Sequence, residues 1–413
     1  MSMAEQENRT CPGLREPERV LPLRCRDYDV IVAGGGVAGI TAALAAARMG
    51  RRVLLLERMY ALGGLATLGL ITIYLPLCDG LGHQVSFGLA EELLRLSISK
   101  GWERNDAGSW LEGKPDSSGR RFRVQYNAQV FAILAEQLLT ENGVRILYGT
   151  SVCAVQREGG RITALIAENR DGRFAVPVRS AVDATGEADI FRLAGAGTAV
   201  YVRGNQPAAW FYETYQGVNT LRMAGAADTL AGQEKAGVPA AARGHRITGT
   251  DAIEVSEALL NSHARSLELF LQNGPVSEAH SLSALATVPQ LRMTRRIAGA
   301  YTLDESEAHR HFDDSIGMIS DWRKPGPVFE IPLRTLCSDE ICNCMAAGRI
   351  IGVTDDMWDI SRVIPACAVT GQAAGLAMAM TDDLTGLDVR ALQQQLRNQH
   401  VKLHLEEAGL SPV

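Results

Sequence analysis

Hydrophobic and polar positions alternate along this chain in blocks that switch between two periods. Asp29 to Ala33 opens as a short apolar run, the pattern of a strand buried on both faces. An alanine-rich helix follows to about Met49, and Gly50 is placed to cap it in the left-handed conformation. Val53 to Leu56 reads as a second strand, closed by Glu57. Gln84 to Ser99 carries Phe87, Leu89, Leu93, Leu94 and Leu96 among charges and predicts a helix. Residues 101 to 120, rich in Gly, Ser and Asp, read as an exposed loop, and Arg121 to Tyr126 as a short strand. Asn127 can cap a helix in which Val130, Leu134 and Leu138 recur every four residues and Asn142-Gly143 ends the run.

Val144 to Leu147 is strand-like. Ser151 to Val155, Ile162 to Ala167 and Phe174 to Val178 then form a meander pattern, with turns at Glu158-Gly159-Gly160 and at 169–172. Ser180 to Ala184 predicts one more core strand. Residues 200 to 335 hold most of the histidines and two of the five tryptophans. Within them, 218–250 is rich in Ala, Gly and polar groups and suits a lid. Val328 to Leu333 and Met345 to Gly352 predict strands returning to the core. Thr370 to Gly375 opens a small-residue helix, and Leu387 to Leu405 an amphipathic helix on the outside.

The first strand runs directly into Gly34-Gly35-Gly36-Val37-Ala38-Gly39, which fits G-x-G-x-x-G. Gly34 makes the turn, Gly36 lets amides approach a pyrophosphate at the helix N-terminus, and Gly39 lets helix and strand close up. Glu57 lies where a carboxylate would meet an adenosine ribose. A glycine turn alone is common. With strand, helix and acid in place, the stretch predicts a dinucleotide site. A second glycine pair follows in Leu62-Gly63-Gly64-Leu65-Ala66-Thr67, and Ala184-Thr185-Gly186 follows the meander.

Composition narrows the reading. The chain has 413 residues, enough for two or three domains, with 46% hydrophobic and 21% charged residues, as in globular proteins. A net charge of −6 without a long basic run argues against a nucleic-acid binder. The first 26 residues are polar, lack an apolar signal core and suit a loose arm or cover strand. Met59 to Cys78 and Val363 to Met380 lack charge, but their glycines and prolines favour buried core over membrane spans. Eight scattered cysteines without a signal suggest reduced, cytoplasmic thiols. Cys337, Cys342 and Cys344 cluster, yet have no second cysteine pair or histidine at zinc-ligand spacing, so no metal site is expected.

Joined in this order, the motifs resemble the FAD-dependent oxidoreductase family, whose members combine G-x-G-x-x-G, a G-G-x-x-T loop, an R-x-T-R-R-I-x-G segment and a closing A-G-R…G-Q-A-A-G. Here these are Gly34 to Gly39, Gly63 to Thr67, Arg292 to Gly299, and Ala347-Gly348-Arg349 with Gly371 to Gly375. The resemblance spans about Asp27 to Met380 and extends distantly to succinate dehydrogenase and fumarate reductase flavoproteins. It implies a glutathione-reductase-like α/β fold: a Rossmann-like FAD-binding domain with a parallel sheet and β-meander, plus an inserted α+β substrate domain. The expected organisation is an arm at 1–26, FAD-binding parts at 27–190 and 336–383, a substrate or cap domain at 191–335 and a C-terminal helix at 384–413.

The resemblance implies non-covalent FAD on Gly34, Gly36, Val37, Ala38, Gly39, Glu57, Arg58, Gly63, Gly64, Leu65, Ala66, Thr67, Val152, Ala184, Thr185, Gly186, Asp189, Gly348, Arg349, Arg362, Val363 and Gln372. It also implies that the helix N-terminus near Val363 points at the flavin pyrimidine. Ala300 stands where the family usually has an acid. No second G-x-G-x-x-G between a strand and a helix is visible, which argues against an NAD(P)H domain. The expected reaction is hydride transfer between a small organic substrate and flavin N5. Arg292, Arg295 and Arg296 suit either an anion clamp or a salt-bridged face. Tyr74 and His83 fall on the implied substrate side, although a lone histidine is as readily structural. Asp355, Asp356 and Trp358 edge a pocket or begin a capped helix. A small-molecule partner, no nucleic acid, no membrane and a homodimer option complete the expectations, with an electron-transfer or regulatory subunit as the alternative.

Overall fold

The computed structural model describes residues 21–22, 27–104, 124–224 and 246–412. Most of the predicted arm, the loop from 105, residues 121–123, the 225–245 part of the suggested lid, Cys11 and Cys25 lie outside the described residues.

In chain order, β1 (Val30–Ala33), α1 (Val37–Arg48) and β2 (Val53–Leu56) open the fold; α2 (Leu89–Ile98), α3 (Ala128–Glu141) and β3 (Arg145–Leu147) follow. The meander is β4 (Ser151–Glu158), β5 (Arg161–Asn169) and β6 (Gly172–Pro177), and β7 (Ser180–Asp183) returns to the core. The middle segment contributes β8 (Thr198–Val200), β9 (Ala209–Tyr215), β10 (Val218–Ala224), α4 (Ala252–Gln272), β11 (His280–Leu285) and β12 (Arg295–Ile297). The chain closes with β13 (Ser315–Ser320), β14 (Val328–Pro332), β15 (Cys344–Ala346), α5 (Asp355–Ser361), α6 (Ile364–Met380) and α7 (Val389–Asn398).

The central sheet runs β15-β7-β1-β2-β3, all pairs parallel. Strands β1, β2 and β7 are buried along their length, which is why they read as continuous apolar runs. The antiparallel meander takes Leu21–Pro22 as a fourth, parallel strand beside β6. In the middle segment β9 lies between β10 and β11, with α4 against β9. This is a Rossmann-like α/β fold with a meander and an inserted α+β portion.

Helix α6 packs along α1, and glycines set the approach. A Cβ on Gly371 would lie 2.1 Å from Thr41 Oγ1, and one on Gly375 2.1 Å from the Ala42 carbonyl oxygen. Nearly all of α6 is buried, so its lack of charge reflects core position. Among the described residues no single helix is long and apolar enough to cross a membrane; α5 and α6 form an apolar pair bent by 90°.

Two predicted helices are shorter than expected. The Gln84 helix begins at Leu89, because Gly88 has φ +63° and breaks the run. The final helix ends at Asn398; His400 has φ +63°, and a separate 3-10 turn covers Leu405–Ala408.

Candidate cofactor and active site

Two glycine loops lie side by side at the C-terminal end of β1. Gly34 has φ +98°, and a Cβ there would sit 2.4 Å from the Ala184 carbonyl oxygen. A Cβ on Gly39 would lie 1.8 Å from the Gly34 carbonyl oxygen, so strand, turn and helix meet backbone to backbone. Gly63 bridges to Gly36 and donates its N–H to the Gly35 carbonyl at 2.8 Å. Thr67 holds the second loop by donating to the Leu62 carbonyl at 2.5 Å, and Tyr126 donates to that of Ala66 at 2.7 Å. Leu65 shares that turn.

Gly36 differs from its neighbours. It is the N-cap of α1, no side chain caps the helix, and a Cβ built there would meet nothing within 4 Å. The first-turn amides of Val37, Ala38 and Gly39 thus begin beside open space, an anion cradle at a helix N-terminus. Glu57 is buried beside it. Its carboxylate accepts from Gly35 N at 2.5 Å and Met59 N at 2.7 Å, so it braces the first loop; a carboxylate still has lone pairs for further donors. Arg58 is half-exposed and faces Glu187 at 3.9 Å.

The Ala184-Thr185-Gly186 turn follows β7. Its Ala184 N–H donates to the Ala33 carbonyl at 2.8 Å. Beneath it, Asp183 is fully buried and accepts from Thr185 N, Thr185 Oγ1 and Ile190 N. Burial outweighs those donors and pushes its carboxyl up to about 6. Asp189 starts the short helix Asp189–Leu193 and pairs with Arg192. Val152 lies in β4, opposite Ala167.

Arg349 spans the loops. Its Nε donates to the Gly186 carbonyl at 2.7 Å and an Nη to that of Leu291 at 3.1 Å, and burial lowers its pKa. Gly348, at φ +80°, packs on Ala38 and donates to Thr370 Oγ1. Val363 is the N-cap of α6, again without a side-chain cap, so a second helix N-terminus remains open to acceptors. Arg362 pairs with Asp359 and lies over the Trp322 ring at 5.7 Å. Gln372 sits deeper in α6. Its amide accepts from Leu89 N at 2.9 Å and donates to Gln399 at 2.9 Å, tying α6 to α2 and the C-terminal segment.

The structure separates the catalytic candidates. Tyr74 is fully buried, and its hydroxyl donates to the Ala90 carbonyl at 2.6 Å; burial raises its pKa well above the usual range, and its surroundings are those of a core residue. The three arginines do not form one clamp. Arg296 lies over Trp358 at 5.4 Å and faces Asp355 at 3.8 Å, while Arg295 sits in β12 opposite Val200. Arg292 is 3% exposed and lies over Trp210 at 4.8 Å. Next to it, Gln290 accepts from Trp210 N and donates to the Gly69 carbonyl at 2.6 Å. Gly69 follows the second glycine loop and Leu291 accepts from Arg349, so Arg292 stands where loop, closing motif and middle segment meet.

His83 has a partner that the sequence reading missed. Asp79 is fully buried, and its Oδ2 lies 2.9 Å from His83 Nδ1 while Oδ1 accepts from Leu81 N and His83 N. Cys78 accepts from Ser320 Oγ, and Trp322, just beyond β13, donates to the Asp359 carbonyl. The His83 loop thereby connects to α5, the helix that precedes α6. The spacing of acid and histidine, i and i+4, was visible in the sequence; Trp210 and Gln290 gave no local signal. Asp355 and Asp356 form the first turn of α5 behind the Thr354 cap, paired with Arg296 and Arg203. Trp358 is buried, donating to the Arg349 carbonyl at 2.6 Å. All the described cysteines are free, and burial raises Cys337 to about 12.

Residues 29–243 and 202–396 match the family described as FAD dependent oxidoreductase. The tRNA uridine 5-carboxymethylaminomethyl modification enzyme MnmG of Thermus thermophilus is 32% identical over 163 residues. That overlap takes in 38% of this chain and 25% of the relative, so the chain matches about a quarter of that protein's length. A geranylgeranyl bacteriochlorophyll reductase-like protein from Thermoplasma acidophilum is 12% identical, with 91% of this chain and 82% of that chain covered and a TM-score of 0.40. The flavin-dependent brominase Bmp2 is 13% identical, with 90% and 83% covered and a TM-score of 0.42. Likeness this distant carries no argument about substrate or reaction.

Proposed function

This chain belongs to the FAD-dependent oxidoreductase family, and within it we propose an enzyme that moves a hydride between a small organic anion and flavin N5. Non-covalent FAD is its cofactor. The chain's own geometry fits that group: a glycine cradle with open space at Gly36, and two helix N-termini that no side chain caps. Gly34 to Gly39, Glu57 and Gly63 to Thr67 would hold its adenosine and pyrophosphate end, and Gly186, Arg349 and Val363 the remainder. Bound FAD supplies the N5 atom that accepts or donates the hydride.

The observation that carries the substrate reading is Arg292, a buried guanidinium at the junction of the glycine loop, the closing motif and the middle segment. It binds the anionic group and fixes its orientation. The apolar cluster of Leu70, Ala208, Trp210, Tyr212, Leu221 and Ala286 excludes water on that side. Asp79 holds His83 by Nδ1, leaving Nε2 to exchange the substrate proton. The partner is a small molecule, and the cytoplasm is the compartment that suits its thiols. The relative's tRNA chemistry is not carried over, because the overlap is 25% of that protein and this chain carries a net charge of −6.

The test is anaerobic bleaching of the flavin by a panel of small hydroxy, amino and dicarboxylic acids. An acid that bleaches the wild type should need roughly 10–100-fold more concentration with Arg292→Gln, the range of a lost charge-assisted bond. FAD content should stay the same. Equal titrations for wild type and variant would remove Arg292 from substrate binding.

A second reading, a flavin-binding electron-transfer or regulatory subunit, is favoured by one observation. Ile253, Leu260, Leu267 and Leu271 leave an apolar stripe exposed along α4. It requires flavin reduction by a partner protein and little turnover alone.

A further inference from the structure

Away from the cofactor cradle, three side chains distant in sequence converge where the C-terminal segment meets β14. Glu330, in β14, is fully buried. His404 enters from the C-terminal segment and His311 from the loop before β13. One ligand atom from each lies within 4.8 Å of the other two. His404 Nδ1 is 3.1 Å from Glu330 Oε2, and His311 Nδ1 is 3.8 Å from Glu330 Oε1. The two imidazoles stack with centroids 4.6 Å apart.

We propose that His311, Glu330 and His404 form a binding site for a divalent transition-metal ion of the zinc class, which fastens the C-terminal segment to β14. Two imidazoles and one carboxylate are the donors that zinc, cobalt and nickel take. With bonds of about 2.0–2.1 Å, a tetrahedral ion needs its ligands roughly 3.3 Å apart, close to both measured separations. His404 and Glu330 already stand at that distance. The His311 ring, 43% exposed, must turn from its stacked position to aim a nitrogen at the same point, and exposure leaves it room to do so.

Charge supports the same assignment. Glu330 is a buried carboxylate, and besides meeting the two histidines it accepts from the neutral amides Phe312 N and Leu405 N. A buried anion demands compensating positive charge. Two imidazolium rings stacked face to face would repel each other, whereas one divalent ion between neutral rings neutralises the carboxylate. The surroundings hold the ligands in place. Ser315 Oγ donates to the Leu403 carbonyl at 2.6 Å, Gln393 donates to the Asp313 and Ser315 carbonyls, and Leu403 N donates to Glu407. Hydrogen-bonded supports of this kind orient metal ligands.

The test uses full-length, FAD-loaded protein stripped with chelator and titrated with Zn²⁺ or Co²⁺, followed by equilibrium dialysis and thermal melting. The wild type should take up one ion and melt several degrees higher when saturated, because an ion bound only to the folded state stabilises it. His404→Ala should abolish both effects, and His311→Ala, at an exposed position that folding tolerates, should weaken binding at least about tenfold. Asp171→Asn, in the exposed turn between β5 and β6, should behave as wild type. Uptake unchanged in both histidine variants would place the ion elsewhere and overturn the proposal. So would the absence of any thermal shift in the wild type.

Discussion

Around the cofactor cradle, backbone meets backbone. Gly34, Gly39, Gly371 and Gly375 bring chain segments so close that a methyl group would overlap a neighbouring atom, a carbonyl oxygen in every case but Gly371, whose first clash is the Thr41 hydroxyl. In the middle segment the load falls on side chains. Buried atoms there without a hydrogen-bond partner include Trp210 Nε1 and Thr294 Oγ1. A region built on glycine contacts tolerates almost no change and binds what every family member binds. A region built on side chains, with polar atoms left over, can change its lining without moving the backbone.

The sharpest break of that comparison is a methyl group at a closed glycine. Gly39→Ala or Gly375→Ala should cost about 3 kcal/mol or more and lower FAD occupancy with the fold, read by denaturant melts. Gly36→Ala should behave otherwise. Its backbone, at φ −68° and ψ −179°, accepts alanine and its Cβ meets no protein atom, so the apo-protein should melt as wild type. FAD binding should weaken at least about tenfold, because the methyl would enter the space proposed above for the pyrophosphate.

Asp183 gives a pH-dependent effect of intermediate size. Unfolded, its carboxyl titrates near 3.8; folded, near 6. Between those values the native state binds the extra proton, so its contribution is complete below pH 3.8 and lost as pH rises through 6. That loss is up to about 3 kcal/mol. Urea melts at pH 4.5 and 7 should show it, and Asp183→Asn should flatten it. The smallest effect belongs to α4. Leu260→Lys, on the exposed stripe, should change stability by less than about 0.5 kcal/mol in the isolated chain. A larger loss would mean that the stripe is covered within the chain itself, and would remove it as a partner surface.

The elements around the cradle were legible in the sequence because each carries its own local rule. A four-residue apolar strand, a glycine turn and a capped helix are neighbours in the chain and need no distant partner to be recognised. Strands β4, β5 and β6 were legible for the same reason, through turns at Gly159 and Gly172. Position after the glycine loop sets Tyr74 on the substrate side but says nothing of the Ala90 carbonyl that engages its hydroxyl. The arginine segment was half legible. Its charge density was plain, but Trp210 and Trp358, which draw Arg292 and Arg296 apart, stand about 80 and 60 residues away. His311, Glu330 and His404 have no spacing pattern at all, since only the packing of β14 against the C-terminal segment brings them together.

The pairing of α1 with α6 also bears on how the protein is made. The two helices lie against each other through Gly371 and Gly375, yet more than 300 residues separate them. At roughly 5–20 residues per second, a ribosome that has released α1 needs on the order of half a minute to deliver its partner. Over that interval the apolar face of α1 and the β7 edge that β15 will occupy have no native cover. Early synthesis of the nucleotide motif therefore gives no early completion of it, and chaperone protection of the nascent chain matters most between β7 and α6.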